Sequence, residues 1–171
     1  MQLIEQLRAL GSECEDTIPC LNQGGCCVYA AHVAKRLQEL GIPVWGIVAD
    51  RDSKDKGINI NDVRLNCGPD NSPKGVLEWN AEGVEFYHVL LQFVHEGKIW
   101  THDSGTTTDQ RLTNDPTLGA PIIDGNLTVG ELSALARDKR WNPSFDRPTG
   151  RPAIKASIAT YLSDEALRGE A

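Results

Sequence analysis

A chain of 171 residues has the length of one ordinary domain and can bury a core without disulfide or metal staples. Hydrophobic residues make up 40% and charged residues 24%, which excludes a disordered chain. The net charge of -7 argues against gripping nucleic-acid phosphates or an anionic membrane as the main task. The opening MQLIEQLRALGSE lacks a basic stretch leading into an apolar run, and no later stretch approaches the roughly 18 apolar residues of a membrane span. A cytoplasmic location is expected. Five cysteines, Cys14, Cys20, Cys26, Cys27 and Cys67, form an odd set, so at least one thiol is free, and reduced cysteines fit best.

In chain order, Leu3, Ile4, Leu7 and Leu10 recur at helical spacing, and Gly11 reads as the residue that ends a short helix. SECEDTIPCLNQGG then reads as a loop. Cys26, Tyr29, Ala30, Val33, Leu37 and Leu40 trace one face of a second helix closed by Gly41. VWGIVA at 44 to 49 reads as a buried strand. Residues 50 to 83, rich in Asp, Asn, Gly, Pro and Lys, read as a lid or binding loop or as a plain surface insertion.

EFYHVLLQFV at 85 to 94 and KIWTHD at 98 to 103 read as a hairpin. Thr128-x-x-Glu131 is a capping box opening a helix to about Asp138. Pro152 suits the first turn of a final helix in which Ile154, Ile158, Tyr161 and Leu162 share a face. The segment with Trp141, Asn142, Pro143, Phe145, Asp146 and Arg147 reads as a cap over the sheet.

Chemistry concentrates at Gly24-Gly25-Cys26. Glycines allow close backbone approach, and a helix start offers unpaired N–H groups and the positive end of the dipole, which favours thiolate and can hold an oxyanion. Gly25 and Cys27, flanking the thiol, belong to that oxyanion and substrate-binding set.

A thiolate nucleophile needs an imidazole, and the chain has His32, His88, His95 and His102. A two-residue turn at Glu96-Gly97 pairs His95 with Lys98 and sets Leu90 opposite Asp103, so His88 sits diagonally from Asp103 on one face. His102 then points to the other face, His95 sits at the turn and His32 lies within the helix. A three-residue loop reverses this parity. Adjacent Cys27 leaves open which thiol faces His88.

GGC at 24 to 26 opening a helix, followed by FYHVLLQF and by KIWTHDSG with 15 positions from His88 to Asp103, resembles the core of transglutaminase-like and arylamine N-acetyltransferase-like proteins of the papain-like superfamily. The likeness covers residues 20 to 106. It implies an α+β fold with the cysteine helix packed on an antiparallel sheet; the length is that of a single domain over 1–171, in which residues 127–171 read as a helical C-terminal extension beyond the likeness. It also implies a Cys-His-Asp triad of Cys26 as nucleophile, His88 as base and then acid, and Asp103 as orienter, with Asn22 or Gln23 as an oxyanion donor.

Such a triad serves hydrolysis and acyl transfer alike; thiol hydrolysis of a protein or small amide or ester substrate, as in a cysteine peptidase or amidase, is the expectation because the chain has no recognisable acceptor site, and no metal or organic cofactor is required. Acyl transfer to an amine acceptor is the alternative. A metal module built on Cys14, Cys20, Cys26 and Cys27 lacks any Cys-x-x-Cys pair, and an interaction protein without turnover is the remaining reading.

Overall fold

The computed structural model describes residues 1–49, 88–115, 119–137 and 145–169. The expected 50–83 loop, residues 85–87 of the expected strand, Cys67, Asp138 and the Trp141 to Pro143 stretch lie outside them. Helices α1 (Gln2–Thr17) and α2 (Cys26–Glu39) come first, then strands β1 (Val44–Ala49), β2 (His88–His95), β3 (Lys98–His102) and β4 (Thr107–Thr108). Helices α3 (Val129–Arg137), α4 (Arg147–Tyr161) and the short α5 (Asp164–Arg168) follow. The strands form one antiparallel sheet in the order β1-β2-β3-β4, so the α+β expectation holds.

The sheet separates two apolar layers. Val89, Leu91 and Phe93 of β2 join the core shared with Val33 and Leu37 of α2, whereas Leu90 packs with Ile47, Ala49 and Ala120 on the other face. Leu132 and Leu135 of α3 and Ile154 and Ile158 of α4 enter the α2 core, so the helices after residue 127 complete it. Among the described residues, no helix is long and apolar enough to cross a membrane. Cys14, Cys20, Cys26 and Cys27 are all free thiols.

Several expected elements fall where the pattern put them. The second helix starts at Cys26, β1 spans Val44–Ala49, and His95 pairs with Lys98 across a two-residue turn. Glu96 and Gly97 both take positive φ, 50° and 73°, the mirror-image turn whose twist matches a hairpin. The capping box is closed in both directions: Thr128 N–H donates to Glu131 Oε1 at 2.8 Å and Glu131 N–H to Thr128 Oγ1 at 3.1 Å.

Two helix boundaries differ. Gly11 does not end α1, which runs on to Thr17 and takes in the first six residues of the expected loop. Cys14 continues the buried stripe of Leu3, Leu7 and Leu10, and Gly11 is the point of closest approach to another segment. A Cβ there would stand 2.4 Å from the Ser104 carbonyl oxygen. At the other end, α4 begins at Arg147, so Pro152 lies inside the helix rather than in its first turn. Pro148 occupies the opening turn, where a missing N–H costs nothing, and Pro152 forgoes one helical bond while Ile154 and Ile158 keep the packing.

Gly11→Ala gains helix propensity of at most about 1 kcal/mol, but it drives a methyl into rigid backbone, an overpacking worth about 1–3 kcal/mol. Urea unfolding is expected to show net destabilisation. An unchanged or higher midpoint would mean that the α1–Ser104 approach is looser than described.

Candidate active site

The segment after β3 builds a cradle around one carboxylate. Asp103 Oδ1 accepts the N–H of Gly105 at 2.9 Å and that of Thr106 at 2.7 Å, while the Asp103 N–H donates to the Thr106 carbonyl at 3.0 Å. This local turn leaves Oδ2 for His88, whose Nε2 lies 2.9 Å away. Both side chains are buried. The hairpin register explains the encounter: Leu91 pairs with His102, which places Asp103 next in line and His88 diagonally from it.

Cys26 opens α2 as a buried thiol. No side chain caps this helix, whose first internal bond runs from Tyr29 N–H to the Gly25 carbonyl at 3.0 Å, so the N–H groups of Cys26, Cys27 and Val28 take no carbonyl within the helix. A hydrogen bond from the Cys27 thiol is the largest influence holding Cys26 well below the usual thiol range; burial opposes it, and the His88 hydrogen bond, the imidazole charge and the Val89 N–H reinforce it. For His88, burial pushes downward, yet the hydrogen bonds to Asp103 and Cys26 and the charge of both raise it to about 10. Burial also acts on Asp103 against ionisation, but His88, His102 and the Thr106 N–H outweigh it and hold the carboxyl below its ordinary value. The three groups together favour a thiolate–imidazolium–carboxylate arrangement. With Nε2 on Asp103, Nδ1 is the ring nitrogen left for sulfur.

The remaining candidates separate cleanly. Cys27 is buried beside Cys26 and acts on it as a hydrogen-bond donor. A Cβ on Gly25 would meet the Leu21 carbonyl oxygen and the Phe145 ring at 2.7 Å, so that glycine seats the start of α2 against its neighbours. The Asn22 amide is engaged elsewhere, donating to Glu15 and accepting from Ser104 Oγ at 2.9 Å, and Gln23 is exposed. His102 turns to the opposite face, with Nε2 2.8 Å from the Tyr29 hydroxyl and Nδ1 2.8 Å from Thr107 Oγ1; burial holds it neutral, with its pKa pushed down to about 4. Among the described residues, no group of three or more His, Cys, Asp or Glu side chains is spaced to hold a metal ion.

One neighbour escapes sequence reasoning. Asp115, with 0% of its surface exposed, brings Oδ2 to 3.8 Å from His88 Nε2. It is held by a tight loop in which its N–H donates to the Ala120 carbonyl at 2.7 Å and its carbonyl accepts the Gly119 N–H at 2.8 Å. The only signal in the chain is an acidic residue in the turn-forming run Asn114-Asp115-Pro116, which is ordinary for a surface loop.

The sign of the pH dependence follows from the shifts. The depressed thiol contributes above its lowered folded pKa and loses that contribution as pH falls through it, while the raised imidazole contributes fully below 6.5 and loses it as pH rises through about 10. The Cys26 alkylation rate with iodoacetamide is therefore expected to be level through neutral pH, with an upper inflection near 10 that disappears in His88→Ala. An ordinary thiol profile rising through the usual cysteine range would overturn the ion-pair reading. Compared with protein-family models, curated proteins and solved structures, the chain matches none.

Proposed function

We propose that the protein is a cysteine-nucleophile acyl-transfer enzyme, most simply a thiol hydrolase of amide or ester bonds, with Cys26, His88 and Asp103 as its triad and a papain-like or transglutaminase-like arrangement of helix and sheet. The observation that carries this reading is the 2.9 Å contact of His88 Nε2 with Asp103 Oδ2, in a buried imidazole whose pKa the Cys26 thiol raises further. A buried imidazole between a thiol and a carboxylate is the arrangement that nucleophilic catalysis requires.

In the proposed reaction, Cys26 Sγ attacks the carbonyl carbon and the oxygen takes the negative charge, facing the N–H groups of the first turn of α2. As the bond to the leaving group breaks, His88 gives its proton to the departing amine or alcohol. Water then attacks the thioester, His88 takes the proton from it, and the acid leaves as the thiolate re-forms. Asp103 keeps the imidazole aligned throughout. Each oxyanion donor contributes about 3 to 4 kcal/mol in well-characterised enzymes. Transfer to an amine in place of water uses the same atoms and differs only in what enters at the second step.

Intact-mass spectrometry after incubation with activated esters and peptide amides is expected to show one acyl adduct, lost in Cys26→Ala and retained in Cys27→Ala. His88→Ala and Asp103→Asn should slow acylation by about 10³- to 10⁴-fold. An adduct that survives Cys26→Ala but not Cys27→Ala would move the nucleophile by one residue. Stoichiometric zinc bound to the thiols would favour the metal module instead.

A further inference from the structure

The helical side of the molecule carries a feature that the Cys26 chemistry does not use. Between α2, α3 and α4 lies a cleft of about 350 Å³ lined by His32, Lys35, Arg36, Arg137, Arg151 and Lys155. At about 100° per residue, His32 lies about 120° around α2 from Cys26 and Lys35 about 180°, so the cleft is separate from the candidate active site. A concentration of cations in a chain of net charge -7 runs against its overall balance.

Local pairing does not account for it. Arg36 is satisfied, donating to the Leu162 carbonyl at 2.9 Å and to Asp164 at 2.8 Å, and lying 3.6 Å from Glu39, the carboxylate on the rim of the cleft. Arg151 donates to the Ala136 carbonyl near the end of α3, a neutral acceptor that leaves its charge in place. Among the described residues, no carboxylate forms an ion pair with Lys35, Arg137, Arg151 or Lys155. His32 Nε2 is itself buried without a hydrogen-bond partner among the described residues. Cations from three helices thus face one concavity and repel one another there.

We propose that this cleft is a binding site for a small phosphate-type oxyanion, such as a phosphorylated metabolite or inorganic pyrophosphate. Guanidinium groups present forked donors matched to phosphate oxygens, and lysines add point charge that a multiply charged ligand would neutralise. The cleft volume falls within the range of small-molecule sites. The acidic balance of the whole chain disfavours an extended polyanion such as nucleic acid, which would have to follow the surface beyond the cleft. The site stands independently of the acyl-transfer reading.

His32 offers a built-in reporter. Burial, and then the charges of Arg151, Lys155 and Lys35, push its pKa down to about 4. The charged groups lining the cleft around it are Lys35, Arg36 and Glu39 from α2, Arg137 from α3, and Arg151 and Lys155 from α4. An anion among them opposes the cationic field, so binding raises the His32 pKa, takes up a proton and tightens as pH falls.

The test is calorimetry with pyrophosphate at fixed ionic strength, together with NMR of the His32 ring with sulfate, whose charge is constant over the range used. Saturable one-to-one binding is expected, with the His32 midpoint moving up from about 4. The double variant Lys35→Gln/Lys155→Gln should weaken binding by about tenfold or more, while Lys98→Gln on β3 leaves it unchanged. Both lysines lie on exposed helical surface, and circular dichroism verifies that the variant folds. Weak unsaturable binding, or equal weakening by Lys98→Gln, would reduce the cleft to general charge attraction and overturn the proposal.

Discussion

The carboxylate of Asp103 does two things at once, and the geometry around His88 depends on both. Its Oδ1 is committed to the N–H groups of Gly105 and Thr106, which fixes the carboxylate in the turn after β3, and its Oδ2 is thereby aimed at His88. A buried imidazole alone is driven towards its neutral form. Asp103 and the Cys26 sulfur reverse that, and the reversal keeps a proton on His88 and favours the thiolate. Asp115 brings a second carboxyl oxygen to 3.8 Å from the same ring nitrogen.

The turn that aims Asp103 is in turn supported from α1. Gly11 lets the Ser104 backbone lie against the helix where any side chain would collide, and Ser104 Oγ donates to Asn22 in the segment leading to Cys26. The support therefore runs from α1 through the β3–β4 turn to the approach of the cysteine helix. Residues that look like a binding set in sequence, Asn22 and Gly25, hold the scaffold together here. In the reading we propose, the oxyanion falls to the backbone of α2 rather than to an amide side chain.

Helix α2 has two chemical sides. Its N-terminal turn presents a thiol to the sheet, while His32 and Lys35 on another side open onto the cationic cleft completed by α3 and α4. The helices after residue 127 are thus part of the same core and supply two walls of that cleft.

What the sequence determined by itself is what local periodicity and turn chemistry encode. The start of α2 at Cys26 follows from apolar spacing after a glycine pair, and the pairing of His95 with Lys98 follows from a turn in which Gly97 takes positive φ readily. That register alone puts His88 and Asp103 on one face and His102 on the other. Tertiary structure decided everything set by distant segments. Gly11 continues a helix because Ser104 fills the space beside it, and Pro152 is carried inside α4 by the packing of Ile154 and Ile158. Asp115 reaches His88 across 27 positions of chain through a loop whose own pattern reads as surface. The cationic cleft has the same origin, since its charges are scattered over three helices and each looks like ordinary solvated surface. Periodicity reports which face of an element is buried, but not which other element will cover it.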